Sequence, residues 1–223
     1  MSYNLAIDGP AGAGKSTIAK KVAKELSFIY VDTGAMYRAM GIFFCDRNIR
    51  PDEKERIADS CKDVQIQIAY EDGEQQVFLN GTNVTGRLRT EEAGKMASSV
   101  SVYPQVREKL VELQKNMAAV NNVVMDGRDI GTAVLPNAQL KIYLTASTRV
   151  RAQRRWKELE AKGLRSSLEE IEADIADRDY RDMHREISPL CQAEDAIYLD
   201  TSEMTIDQVT ERILKLASEH FCL

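Results

Sequence analysis

The sequence is poor in the side chains that bind transition metals. It has only two histidines, and its four cysteines are far apart and form no C-x-x-C pair. These residues are His184 and His220, and Cys45, Cys61, Cys191 and Cys222. None of their spacings is typical of a zinc site. We therefore expect no zinc centre, and reduced thiols in a cytoplasmic protein.

Long apolar runs and excess positive charge are also missing. No run approaches the roughly 20 apolar residues that a membrane span needs, and the opening MSYNLAIDGP does not resemble a signal peptide. The net charge of −5 argues against general binding to nucleic acid or to an anionic membrane. Any anionic ligand must therefore be bound by a local cluster of cations.

The length and composition suit one globular core with small appended modules. The chain has 223 residues, of which 43% are hydrophobic and 29% charged. Five short apolar segments separated by amphipathic ones predict a parallel sheet that is covered by helices on both faces. The predicted strands are Leu5–Ile7, Phe28–Val31, Val123–Asp126, Leu140–Leu144 and Ala196–Leu199.

A second pattern interrupts this alternation. Apolar and polar residues alternate with period two from Val64 to Tyr70, which predicts an antiparallel strand. Val77–Leu79 predicts a second strand, and the Asn80-Gly81 turn leads to a third. We interpret residues 63–86 as an inserted subdomain that the following helix closes.

Helical periodicity fills most of the remaining chain. The predicted helices cover 16–26, 34–45, 51–62, 90–101, 104–119, 148–162, 166–185 and a last segment after Thr205. Thr90 is a predicted N-cap, and two capping boxes are predicted, from Ser166 with Glu169 and from Thr205 with Gln208.

One motif specifies a nucleotide site. Residues 9–16, GPAGAGKS, match the pattern G-x-x-x-x-G-K-[ST] and lie between a predicted strand and a predicted helix. In such a P-loop, backbone amides and the helix N-terminus bind phosphate oxygens. Lys15 can reach the β- and γ-phosphates, and the Ser16 hydroxyl can bind Mg²⁺.

Arginine-bearing loops follow two of the predicted strands. These are residues 32–38, DTGAMYR, and residues 126–132, DGRDIGT, at the strand ends where open α/β sheets bind ligands. Eight of the 17 arginines also lie within 149–185, where Arg178, Arg181 and Arg185 share one predicted helix face. Guanidinium groups bind phosphate well, so we interpret this stretch as a mobile cover over phosphates. The alternative is a solvated face with ion pairs.

The chain resembles the bacterial cytidylate (CMP/dCMP) kinases, a branch of the P-loop nucleoside monophosphate kinases. The resemblance runs nearly end to end, through IDGPAGAGKST, DTGAMYR, DGRDIGT, RDYRD followed by Arg185, and DAIYLDT. It implies an α/β fold with a five-stranded parallel sheet in the order 2-3-1-4-5, an antiparallel β insert and a helical lid. The implied division is core 1–62, monophosphate-binding insert 63–98, core 99–147, lid 148–185 and core 186–223.

The resemblance also implies roles for individual residues. The ATP cradle is Gly9, Pro10, Ala11, Gly12, Ala13, Gly14, Lys15, Ser16 and Thr17. The acceptor phosphate is bound by Arg38, Arg128 and Arg185, the cytosine by Thr33, Ser98, Arg107 and Asp129, and the sugar by Arg178 and Asp182. Ser99 is the alternative to Ser98. For the lid arginine that meets the transferred phosphoryl group, Arg154 is the first choice and Arg181 the second.

The implied reaction is ATP-dependent phosphorylation of CMP and dCMP by a monomer. The acceptor phosphate oxygen is already ionised near neutral pH, so no general base is required, and Asp126 is expected to support Mg²⁺ through water. Two alternatives remain: a kinase for another small acceptor such as UMP, AMP or dTMP, and a nucleotide-driven switch. The N-K-x-D guanine-binding motif is absent from the sequence, which counts against a GTPase.

Overall fold

The computed structural model describes residues 2–161 and 163–221. Within them the strands are β1 Asn4–Asp8, β2 Ile29–Asp32, β3 Ile66–Glu71, β4 Glu74–Leu79, β5 Thr82–Asn83, β6 Val123–Gly127, β7 Leu140–Thr145 and β8 Ile197–Asp200. The α-helices are α1 Lys15–Leu26, α2 Thr33–Asp46, α3 Lys54–Ser60, α4 Glu91–Val100, α5 Pro104–Val120, α6 Thr148–Ala161, α7 Leu168–His184 and α8 Ile206–His220.

The chain forms two compact units. One contains the described residues of the ranges 1–30 and 120–223, and the other contains 31–119. The larger sheet has five strands in the order β2-β6-β1-β7-β8, and all of it except Val31 and Asp32 of β2 lies in the first unit. Counted among these five strands, the order is the predicted 2-3-1-4-5, and β1 pairs in parallel with β6 and with β7.

The core of the first unit follows from strands that are buried on both faces. Residues 5–8 of β1 are all buried, as are all five residues of β6, so neither strand has the alternating pattern of a half-exposed sheet. Ile18 and Val22 of α1 pack in the same cluster as Ile213 and Leu216 of α8. This packing fixes the first turn of α1 against the end of β1, where the P-loop lies.

The second unit combines helices α2 to α5 with the sheet β3-β4-β5. α2 is mostly buried, as its apolar composition predicted, and it approaches α4 so closely that a Cβ on Gly41 would lie 2.8 Å from the Ala93 carbonyl oxygen. The two predicted turns are present, since Asp72, Gly73, Asn80 and Gly81 all have positive φ. The predicted antiparallel insert is therefore confirmed as a three-stranded sheet.

Two predicted helix starts are wrong. The third helix begins at Lys54 rather than at Pro51, because Pro51 and Asp52 form a turn in which the Glu53 carboxylate accepts the N–H of Arg50. The capping box of α7 is formed by Ser167 and Glu170, one residue later than predicted. Both serines have a glutamate three residues on, so the pattern allowed either register.

The remaining predictions concern the end of α6, the cysteines and membrane-spanning helices. Lys162, the predicted end of α6, and Cys222 lie outside the described residues. Cys45, Cys61 and Cys191 are free thiols. Across residues 2–161 and 163–221, no helix is long and apolar enough to cross a membrane.

Candidate active site

The P-loop, residues 9–16, joins β1 to α1, and all three of its glycines have positive φ. Gly9 has φ of 149°, and a Cβ there would lie 1.9 Å from the Leu144 carbonyl oxygen. Gly14, with φ of 88°, adopts the left-handed conformation immediately before α1. The chain can therefore turn sharply from the buried strand into the helix, whose N-terminal amides are then available to an anion.

Lys15 is a buried cation in the first turn of α1. Its Nζ donates to the carbonyl oxygen of Pro10 at 2.8 Å. Burial and the nearby Arg128 guanidinium lower its pKa to about 7, against the opposing attraction of Asp126 and Asp8. Two cations in a poorly hydrated place repel each other, and a polyanionic ligand would offset that repulsion.

Ser16 and Asp126 form an oxygen-rich pair beside Lys15. Ser16 Oγ donates to Asp126 Oδ2 at 3.0 Å, and the Tyr30 hydroxyl donates to Asp126 Oδ1 at 2.8 Å. Hydroxyl and carboxylate oxygens are ligands that Mg²⁺ prefers, and Mg²⁺ usually binds with only one or two protein groups plus phosphates and waters. The pair therefore fits the predicted Mg²⁺ role. Among the described residues, no group of three or more histidine, cysteine or acidic side chains is placed to bind a metal.

Asp8, the last residue of β1, is hydrogen-bonded to the segment that follows β6. Its two carboxylate oxygens accept the N–H groups of Ile130 and Gly131, each at 2.7 Å. Burial raises the pKa of Asp8 to about 6, although these two hydrogen bonds oppose the rise. A Cβ on Gly131 would lie 3.1 Å from the Lys141 side chain and 3.3 Å from Asp8 Oδ2, so glycine lets the loop approach this closely.

The predicted acceptor residues of the first unit form ion pairs with one another. Arg128 Nε donates to Asp182 Oδ2 at 2.9 Å, and Arg185 Nη2 lies 3.7 Å from Asp129 Oδ1. Burial tends to raise the pKa of Asp182, but Arg128 together with Arg178 and Arg185 outweighs it, and the net shift is downward. Arg178 is exposed on α7 and also lowers the pKa of Asp182. Lys15, Arg128 and Asp182 therefore belong to one electrostatic cluster.

The second unit holds the other predicted acceptor residues. Asp32 caps α2 by accepting the N–H of Ala35 at 2.8 Å, and its second oxygen lies 3.3 Å from Arg38 Nη2. Arg38 Nε is buried and, among the described residues, has no hydrogen-bond partner. Such a donor is costly unless a ligand accepts from it.

The remaining predicted base contacts lie on three helices of the second unit. Thr33 is buried at the start of α2. Arg107, also buried, donates to the Tyr37 hydroxyl at 3.2 Å. In the last turn of α4, Ser98 is half-buried whereas Ser99 is exposed.

The two candidates for the lid arginine already have partners in this structure. Arg154 donates to the Thr201 carbonyl oxygen at 2.7 Å, and exposed Arg181 pairs with Asp177 at 3.0 Å. The predicted shared face of Arg178, Arg181 and Arg185 is wrong at its last member, because α7 ends at His184 and the backbone of Arg185 is extended.

The arginine that reaches the P-loop is one that the sequence did not single out. Arg151 Nη1 donates to the Ala11 carbonyl oxygen at 3.0 Å, and its Nη2 pairs with the buried Asp179 at 2.6 Å. Asp8 and Tyr30 were missed as well. Each acts through a contact between residues far apart in sequence, for which no local pattern is diagnostic.

Comparison with known proteins assigns the chain to a family. The family model for cytidylate kinase matches residues 5–219. The chain is 50% identical over 212 residues to a cytidylate kinase of Lactobacillus gasseri, covering 95% of this chain and 92% of that one. It is 47% identical over 216 residues to a cytidylate kinase of Halalkalibacterium halodurans, covering 97% of each.

Solved structures with low sequence identity share the fold. An uncharacterised protein of Eubacterium ventriosum superposes with a TM-score of 0.56 at 12% identity, covering 97% of this chain and 99% of that one. The shikimate kinase of Acinetobacter baumannii does so with a TM-score of 0.50 at 15% identity, covering 100% and 97%. These two likenesses concern the fold alone. The family model and the curated relatives each span nearly the whole chain, and on that evidence the chain belongs to the cytidylate kinase family.

Proposed function

We propose that this protein transfers the γ-phosphoryl group of ATP to CMP and dCMP, producing ADP with CDP or dCDP. The observation that carries the proposal is the burial of Lys15 close to Arg128, with Ser16 and Asp126 beside them. The nearby carboxylates compensate these two cations only in part, since the pKa of Lys15 is still lowered. A nucleotide phosphate would offset the repulsion and would bind the P-loop amides at the same time.

ATP would bind at residues 9–17, with Lys15 donating to the β- and γ-phosphates. Mg²⁺ bound with ATP would supply charge neutralisation, and Ser16 and the Asp126 carboxylate are the groups that would hold it, Asp126 through water. No residue has to remove a proton, because the acceptor is an ionised phosphate oxygen. The side chains therefore act by positioning the two substrates and by spreading charge around the γ-phosphoryl group.

We assign the acceptor nucleotide to the residues that the family resemblance implies. The acceptor phosphate is bound by Arg38, Arg128 and Arg185, the cytosine by Thr33, Ser98, Arg107 and Asp129, and the sugar by Arg178 and Asp182. Support comes from the buried, unpartnered Nε of Arg38 and from the pairs Arg128–Asp182 and Arg185–Asp129, which orient their guanidinium groups.

The residue that meets the transferred phosphoryl group would come from the segment 148–185. Arg154 is our first candidate and Arg181 the second. Either would first exchange its present partner, the Thr201 carbonyl for Arg154 and Asp177 for Arg181. Closure of the segment only when both substrates are bound would limit hydrolysis of ATP by water. The monomeric state and the cytoplasmic location stay predictions from the family resemblance.

A panel of acceptors tests the proposal directly. ADP formation is measured with ATP and Mg²⁺ in the presence of CMP, dCMP, UMP, AMP or dTMP, and without any acceptor. We expect CMP and dCMP to give the highest kcat/KM and the acceptor-free rate to be far lower. A higher kcat/KM for another acceptor would assign a different substrate, and ADP formation independent of every acceptor would contradict a phosphotransferase.

Substitution of Asp129 tests how cytosine is distinguished from uracil. Cytosine carries an amine at position 4 that donates to a carboxylate, whereas uracil carries a carbonyl that is repelled. One such mismatch is worth about 1–3 kcal/mol. Asp129→Asn can donate to the uracil carbonyl, so we expect a lower kcat/KM for CMP and a CMP/UMP ratio narrowed roughly tenfold or more. An unchanged ratio, with both substrates weakened in proportion, would indicate that Asp129 only anchors Arg185.

Substitution of Lys15 tests the assignment of the P-loop to ATP. Its ammonium is expected to stabilise the transition state more than the ground state. Lys15→Ala should reduce kcat roughly 10²-fold or more, with a smaller change in the KM for CMP, by analogy with the loss of one preorganised donor. Exposed Lys24→Ala on the same helix is the matched control and should leave kcat unchanged. A near-normal kcat for Lys15→Ala would contradict the assignment.

The raised pKa of Asp8 predicts how stability changes with pH. The folded protein holds the Asp8 proton up to about pH 6, whereas the unfolded chain releases it near the ordinary value of 3.8. Ionisation of this group therefore favours unfolding as pH rises through that window, by about 3 kcal/mol in all. Urea unfolding of the wild type and of Asp8→Asn should give a stability difference, wild type minus variant, that falls by about this amount between pH 4 and pH 7. Parallel pH curves would contradict the raised pKa.

A further inference from the structure

The antiparallel insert holds a polar side chain on its inward face. In β4, Val77 and Leu79 are buried, and Gln75 lies on the same face because side chains two apart in a strand point the same way. Gln75 is half-buried, and its register partner across the hairpin is Tyr70. A polar residue in such a row needs hydrogen-bond partners.

Both hydrogen-bond partners of the Gln75 side chain are backbone groups of Asp32. Its Oε1 accepts the N–H of Asp32 at 2.9 Å, and its Nε2 donates to the carbonyl oxygen of Asp32 at 3.3 Å. The side-chain amide thereby pairs with both backbone groups of Asp32, as a neighbouring strand would. Only one orientation of the amide satisfies both bonds, so the contact is directional.

Asp32 is the junction between β2 and α2, at the start of the segment 32–38 that carries Thr33 and Arg38. It ends β2 and caps α2, and its side chain is already engaged by the N–H of Ala35 and by Arg38. Thr33 follows it directly. The backbone of Asp32 is therefore held by Gln75, while its side chain holds the first turn of α2 and one guanidinium nitrogen of Arg38.

We propose that Gln75 is a positioning residue for the acceptor nucleotide: from the insert, its amide fixes the backbone of Asp32 and so preorganises Thr33 and Arg38 for binding. The proposal rests on the acceptor role given to those two residues under the proposed function. Without the two bonds, the junction between β2 and α2 would spend part of its time in other conformations. The apparent dissociation constant of the acceptor rises in proportion to the loss of the competent form.

The matched pair Gln75→Met and Gln76→Met tests this role. Gln76 is the same residue type in the same strand, but it points to the opposite face and accepts from Asn83. Loss of two neutral hydrogen bonds predicts a rise of roughly five- to tenfold in the KM for CMP of Gln75→Met. The kcat at saturating CMP and the KM for ATP should stay within about twofold of wild type, because bound CMP holds the junction between β2 and α2 in its binding-competent conformation. Gln76→Met should match the wild type in all three constants.

Hydrogen exchange on the ligand-free protein tests the contact whatever the substrate is. Gln75→Met should speed exchange of the Asp32 amide, whereas Gln76→Met should not. Gln75→Glu keeps an acceptor for that amide but loses the donor to the carbonyl, so it should give intermediate values of exchange and of the KM for CMP. If Gln75→Met does not fold, the exchange rate of the Asp32 amide and the KM for CMP in Gln75→Glu still test the contact.

The outcomes separate this inference from the proposed function. Unchanged exchange at Asp32 with an unchanged KM for CMP would overturn the role of Gln75. Equal rises in the KM for CMP and for ATP, together with a lower Tm, would overturn it in favour of a purely structural contribution. If the wild type fails to use CMP, the proposed function fails. The preferred acceptor of the panel then replaces CMP, and an unchanged KM for it would overturn the inference independently.

Discussion

In the first unit, two hydrogen bonds from backbone amides to the Asp8 carboxylate hold the P-loop strand next to the segment after β6. Asp8 ends β1, directly before the P-loop, and accepts the N–H groups of Ile130 and Gly131. Those amides follow Arg128 and Asp129 in the loop after β6. The P-loop and the segment after β6, to which we assign the donor and acceptor phosphates, are therefore linked at the end of β1. The energetic cost of this link is the burial of a charge, which is why the pKa of Asp8 rises to about 6.

Charge compensation around Lys15 in the first unit is incomplete. Lys15 and Arg128 are close enough for the arginine to lower the pKa of the lysine to about 7, with burial as the larger cause. Asp126 and Asp182 compensate in part, and each is tied to a neighbour, to Ser16 and to Arg128 respectively. In the proposed function, the negative charge of a bound phosphate would complete this compensation.

Sequence patterns predicted the parts of this structure that depend on local spacing. The P-loop, the parallel sheet and the period-two insert all follow from residues within a few positions of one another, and the structure confirms them. The register of the capping box before α7 was wrong by one residue, because Ser166 and Ser167 each precede a glutamate at the same spacing. Only the packing of the helix, with Ile171 and Ile175 buried, selects between the two serines.

The sequence did not reveal which polar side chains position another chain segment by hydrogen bonding to its backbone. Arg151 donates to the Ala11 carbonyl of the P-loop, and Gln75 pairs with both backbone groups of Asp32. By hydrophobic periodicity, each of them is only a polar residue at an inward-facing position. Because these bonds end on main-chain atoms, they constrain where a motif loop lies without engaging the side chains that it presents. Elements remote in sequence thereby determine the path of the backbone that carries the motif side chains.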